Sequence, residues 1–136
     1  SSWNDANVSC PYWMRKHLFD QCVAISVGGK TLATINGIGY VRDVKVVDDI
    51  LYTAVDPESD NCSQCDEIGI RIFDFSVPSE PVLLSEIGFP AHQIHNMWIE
   101  KGILYAASMF EGMMVIYDVS NPSDPTRIGT WSFSTF

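Results

Sequence analysis

The sequence predicts an all-β protein made of four-stranded antiparallel units. Three observations carry that prediction: a long internal repeat, apolar and polar residues alternating with a period of two, and turn residues between the alternating runs. The chain has 136 residues, 46% of them hydrophobic and 18% charged, which is the balance of a globular chain and not of a disordered one.

The repeat comes first because it sets the element count. Ile50-Leu51-Tyr52-Thr53-Ala54 returns 53 positions later as Ile103-Leu104-Tyr105-Ala106-Ala107. Ile72-Phe73-Asp74-Phe75-Ser76-Val77-Pro78-Ser79-Glu80-Pro81 returns 44 positions later as Ile116-Tyr117-Asp118-Val119-Ser120-Asn121-Pro122-Ser123-Asp124-Pro125. The spacing falls by nine because the first copy carries an insertion at 56–67, where the second has the short Met109-Phe110-Glu111-Gly112 connection.

Each copy reads as four strands. In the first, Val44-Lys45-Val46 alternates as a half-buried strand does, Asp48-Asp49 turns the chain, and 50–55 is β-branched and aromatic. Strands at 68–75 and 82–87 follow. The second copy gives 94–99, 103–108, 113–119 and 126–131, with Lys101-Gly102 as its first turn. The Ser-x-Pro-x-x-Pro stretches from Ser76 and Ser120 are loops, because proline has no N–H to give a ladder. A partial third copy precedes these, with strands at 23–26 and 31–35 joined across Gly28-Gly29. Residues 1–22 match nothing in the repeat. The chain therefore divides into an extension at 1–22, a partial unit at 23–38, a unit with an acidic insertion at 39–89 and a second unit at 90–136.

Charge narrows the partners. The net charge is −9 with eight Lys and Arg, and Arg15, Lys16 and His17 form the one basic cluster, which reads as a solvated loop. Nucleic acid, which needs clustered cations, is disfavoured. No apolar run approaches the ~20 residues of a membrane-spanning helix. Ser1 opens neither a signal peptide nor an initiator methionine, so the chain reads as a processed product or a piece of a longer one.

Cys10, Cys22, Cys62 and Cys65 suit two disulfides in any of three pairings. The local pairs Cys10–Cys22 and Cys62–Cys65 are favoured, the first of which would pin the 1–22 extension. Cys62-x2-Cys65 also has zinc or redox spacing, but the eleven residues between Cys10 and Cys22 make a poor second half for a four-Cys site. Asn7-Val8-Ser9 and Asn61-Cys62-Ser63 are N-glycosylation sequons beside cysteines. Both features point to an oxidising, extracellular or cell-surface setting.

Candidate chemistry is sparse. Asp56-x-Glu58-x-Asp60 resembles the start of a calcium loop, yet lacks the central glycine and closing glutamate of an EF-hand; calcium is the one cofactor the insertion suggests. His92 and His95 have a metal-like spacing, which on a strand places them on opposite faces. Asp74 and Asp118 recur before the proline loops, where a carboxylate that accepts loop N–H groups explains the recurrence better than a catalytic pair. Tyr52, Tyr105, Phe73, Tyr117, Trp98 and Trp131 fall on strands and read mostly as core, with Trp98 or Trp131 as a carbohydrate-stacking alternative. Met109, Met113 and Met114 beside Phe110 read as an apolar loop suited to assembly, with core packing as the alternative. No nucleophile elbow, P-loop or dinucleotide fingerprint occurs.

The segment from Val115 to Pro125 resembles the LVIVD repeat of bacterial and archaeal cell-surface proteins, and Asp43-Val44-Lys45-Val46 with Leu51-Tyr52-Thr53-Ala54 resembles that repeat's first two strands. The likeness covers 39–133 well and 23–38 weakly. It implies secreted or anchored β-propellers of the choice-of-anchor type, and no defined reaction. A closed propeller needs about four to eight blades, whereas this chain supplies two and a fraction. The expected function is a non-enzymatic structural or interaction protein whose blades pack on neighbouring copies, as in a filament, or on the remaining blades of a longer chain. The alternative is one portion of a larger ligand-binding or catalytic propeller, with His92, His95 and Asn96 nearest its channel.

Overall fold

In a computed structural model of the chain, residues 6–9, 22–27, 30–36, 40–56, 68–88, 94–108 and 112–132 are described. They form eleven strands in three antiparallel sheets and, among the described residues, no helix. The N-terminal sheet is β1 (Ala6–Ser9), β2 (Cys22–Val27) and β3 (Lys30–Asn36), in that order across the sheet. The middle sheet is β4 (Tyr40–Val47), β5 (Ile50–Asp56), β6 (Ile68–Asp74) and β7 (Val82–Gly88). The C-terminal sheet is β8 (Asn96–Glu100), β9 (Ile103–Ser108), β10 (Met113–Asp118) and β11 (Thr126–Ser132). Each is a meander in which a strand pairs with its neighbours in sequence. The all-β, open, four-stranded architecture is the one predicted. The first strand, β1, was not foreseen: it draws Ala6 to Ser9 of the extension into register with Val27 to Ala24.

The turns show why the repeat keeps its residue types. Asp48 and Asp49 have φ of 50° and 62°, and Lys101 and Gly102 have 51° and 77°. Two consecutive residues in the left-handed region make the turn whose twist matches that of the strands it joins. At Gly102 an added Cβ would also meet Ser120 Cβ at 3.4 Å. The turn carbonyl then anchors the far end of the unit. Phe75 N donates to Asp49 O, and Val119 N to Gly102 O, both at 2.8 Å. A bulge recurs too: Leu84 and Ile128, equivalent in the repeat, are both skipped by the ladder.

Asp74 and Asp118 close β6 and β10, and each carboxylate accepts the backbone N–H and the hydroxyl of the serine two residues on. The distances are 2.8 and 2.7 Å to Ser76, and 2.9 and 2.6 Å to Ser120. This is the loop-anchoring role expected of them. The Ser76 N–H and then its hydroxyl hold Asp74 below the ordinary aspartate range, and the Ser120 hydroxyl and then its N–H do the same for Asp118. A folded-state pKa below the unfolded value gives a contribution that is present above the unfolded value, about 3.9, and lost as pH falls through the folded one. Carboxyl titration by NMR should place both aspartates below about 3.9, and Ser120→Ala should raise Asp118 alone. Ordinary values in the wild type would contradict the loop anchors.

The middle and C-terminal sheets share one core. It joins Tyr52, Ala54, Ile70, Ile72 and Ile87 of the middle sheet to Met97, Ile99, Leu104, Ala106, Val115 and Tyr117 of the C-terminal sheet, with Ile94 and Val119 beside them. Burying each such aliphatic side chain contributes roughly 1.5–3 kcal/mol. The other face of the middle sheet is buried as well, at Leu51, Thr53, Phe73 and Phe75, and β2 of the N-terminal sheet approaches β4. Thr53, polar at this depth, donates its hydroxyl to Arg71 O at 3.1 Å. Among the described residues no helix is long and apolar enough to cross a membrane.

Candidate interaction surface

Two side-chain rows of the middle sheet face the C-terminal sheet. Cross-strand register gives Lys45–Tyr52–Ile72–Ser85 and Asp43–Ala54–Ile70–Ile87. Register in the C-terminal sheet gives the equivalent rows Trp98–Tyr105–Ile116–Gly129 and Asn96–Ala107–Met114–Trp131. Position by position these are the same surface on successive repeats. Their surroundings differ. In the middle sheet Tyr52, Ala54, Ile70, Ile72 and Ile87 are between 0 and 7% exposed, because the C-terminal sheet covers them. In the C-terminal sheet Tyr105, Ala107, Met114 and Ile116 are half-buried, and Trp98 and Trp131 stand 60% and 56% exposed.

The covered interface shows what the surface is built to do. Asp43, carried by the register shift between Val41 and Asp43, accepts the Met97 N–H on Oδ2 at 2.9 Å and the Lys45 ammonium on Oδ1 at 3.1 Å. It thereby satisfies a backbone donor on the edge strand β8, which would otherwise be open to pairing. Ser85 donates its hydroxyl to Pro122 O at 2.6 Å, fastening β7 to the second proline loop. Between these polar clasps the contact is apolar. Burial pushes the Tyr52 phenol above its ordinary pKa, with Asp48 adding to the rise, and burial does the same for Tyr117, which Arg127 partly offsets. Among the described residues the buried Tyr117 hydroxyl has no hydrogen-bond partner; its ring burial has to outweigh a penalty of about 1–3 kcal/mol.

The residues singled out from sequence are placed as follows. His95 is exposed just ahead of β8, its backbone N–H donating to Ala107 O at 2.8 Å; His92 lies outside the described residues. Asn7, Cys22 and Asp56 fall on β1, β2 and β5 as backbone positions. Cys10, Cys62, Cys65, Asn61, Glu58 and Asp60 lie outside the described residues, as do Met109, Phe110 and the Arg15-Lys16-His17 cluster. Among the described residues no three His, Cys, Asp or Glu side chains gather as a metal site. Met113 and Met114 lie in β10, the strand expected at 113–119, and not in the apolar loop: Met113 packs against the shared core, as the alternative reading had it, and Met114 lies on the outer face. The core reading holds for Tyr52, Phe73 and Tyr117. Trp98 and Trp131 depart from it, since both side chains are exposed.

Comparison with known proteins bears on this surface. A search of curated proteins finds no match to the chain. The model of the LVIVD repeat matches residues 95–132. That span opens one residue before β8 and closes with the last residue of β11. The match to the LVIVD repeat thus falls on the C-terminal sheet.

Proposed function

We propose that this chain is a non-enzymatic structural or interaction protein of the cell exterior, whose blades pack against neighbouring copies or domains. The observation that carries the reading is the exposed Trp98 beside half-buried Tyr105 and Ile116, at repeat positions equivalent to those where the preceding sheet buries Tyr52 and Ile72. Contiguous apolar surface crowned by two tryptophans is what protein contacts are built on. The exterior setting is supported by the sequons at Asn7 and Asn61 and by the four cysteines. No cofactor enters this reading; calcium held by Asp56, Glu58 and Asp60 would serve to brace the insertion.

Hydroxyl-radical footprinting of the protein in its native assembly tests the proposal. Trp98, Met114 and Trp131 should be shielded there and labelled in the dilute isolated chain. Equal labelling in both states would remove the basis for an interaction role.

A further inference from the structure

We infer that β1 is the second strand of a third copy of the repeat unit, and that its edge away from β2 takes a first strand supplied by residues 1–3 across a turn at Asn4-Asp5. Residues 1–5 lie outside the described residues, and register alone places them. In both complete units the third and fourth strands slip past each other at one place. The ladder passes from Ile72–Ser85 to Phe73–Leu83 and from Ile116–Gly129 to Tyr117–Arg127, skipping Leu84 and Ile128. In the N-terminal sheet it passes from Ile25–Ala33 to Ser26–Thr31 and skips Leu32. A bulge is a specific feature of a strand pair, and three in the same setting mark β2 and β3 as third and fourth strands. Register then fixes β1. Val8 lies opposite Ile25 as Tyr52 lies opposite Ile72 and Tyr105 opposite Ile116. Ala6 lies opposite Val27 as Ile50 lies opposite Asp74 and Ile103 opposite Asp118. Ala6 to Ser9 matches neither second strand in residue type, so the likeness is one of backbone pairing.

Each complete unit uses both edges of its second strand: β5 pairs with β4 and β6, and β9 with β8 and β10. Among the described residues β1 pairs with β2, and β4 and β8 show what belongs on its other side. Both run into the second strand through two residues, Val47 to Ile50 across Asp48-Asp49 and Glu100 to Ile103 across Lys101-Gly102. Both turns hold positive φ at each residue, which Asn and Asp tolerate better than other residues with a side chain. Asn4-Asp5 stands in that place ahead of Ala6. The same register sets Trp3 opposite Ala6, as Val47 is opposite Ile50, and Ser1 opposite Val8, as Lys45 is opposite Tyr52. The bond from the Phe75 N–H to Asp49 O makes Ile50 and Asp74 a pair that exchanges no bonds, so the Ile50 and Tyr52 N–H groups point to β4. By equivalence the Ala6 and Val8 N–H groups point to the first strand, and those of Asn7 and Ser9 to β2. The inference does not depend on the interaction role proposed above.

Those two pairs of amides supply the test, by hydrogen exchange of the full chain read by NMR. In the wild type Ala6 and Val8 should be protected as Asn7 and Ser9 are. Asp5→Pro, whose ring fixes φ at about −65°, excludes the left-handed turn. It should strip protection from Ala6 and Val8 while β5 and β6 keep theirs. Asp5→Gly, which takes positive φ freely, should leave all four amides protected. Free exchange at Ala6 and Val8 in the wild type would overturn the inference: with Asn7 and Ser9 protected it would mean an open edge, and with all four free, no second strand. Protection that survives Asp5→Pro would give the place to another strand and overturn it too. Protection lost equally in the glycine variant would tie the effect to the carboxylate and not to the turn, again against the inference.

Discussion

Ile72→Ala should cost about 2–5 kcal/mol of folding stability, and Ile116→Ala, the same change at the same repeat position, roughly 1 kcal/mol. Ile72 is fully buried between the middle and C-terminal sheets. Truncation there removes three methyl or methylene groups from a close-packed interior and leaves a cavity that strands on both sides cannot easily fill. Ile116 projects from the open face and is half-buried, so its truncation loses contact with sheet neighbours and creates no cavity. The comparison is best made by urea denaturation of the dilute chain. Against a total of about 5–15 kcal/mol for a domain of this kind, the larger loss moves the midpoint far. Equal losses at the two positions would show that the outer face is covered within the monomer, against the arrangement described above.

Asp43→Ala is the second large expected effect, about 1–3 kcal/mol. The carboxylate is held 16% exposed and satisfies the Met97 N–H across the interface between sheets. Alanine leaves that amide without an acceptor in a half-buried setting. Asn at the same position keeps an acceptor and forfeits the Lys45 ion pair, which is partly solvated and worth at most about 1 kcal/mol. The order of stability should be wild type, then Asp43→Asn, then Asp43→Ala. Amide exchange at Met97 should accelerate sharply in the alanine variant. An alanine variant as stable as the asparagine one would mean that the bond to β8 contributes nothing net.

Much of this architecture was legible in the sequence because a repeat supplies its own control. The eight strands of the two full units follow from period-two alternation and from turns at Asp48-Asp49 and Lys101-Gly102, and each strand falls within a few residues of its expected place. The role of Asp74 and Asp118 was legible for the same reason, since residues reused at equivalent positions serve the frame. The strand β1 was not legible. Ala6 to Ser9 has no sequence counterpart in the repeat, and its pairing with β2 is a tertiary choice that a four-residue run does not announce. Nor was the exposure of Trp98 and Trp131 legible. Alternation assigns a side chain to one face of a sheet; whether another sheet covers that face depends on the neighbours. The bridging role of Asp43 was hidden as well, because it arises from a register shift in β4 that composition does not reveal.

The meander topology has a consequence for how the molecule is made. Every strand of the middle and C-terminal sheets finds its hydrogen-bond partners among its immediate neighbours in sequence, which keeps loop closures short and ordering fast for a β protein. On the ribosome, where chains emerge from the N-terminus, the middle sheet can complete its ladder before β8 exists. Its Tyr52 and Ile72 face then waits, bare, until the next unit emerges and settles on it. Vectorial synthesis thus passes one sticky surface along the growing chain, each new sheet quenching the last and presenting its own. Trp98, Tyr105 and Ile116 hold the final position of that relay among the described residues, and a holdase that shields nascent chains would find its target there.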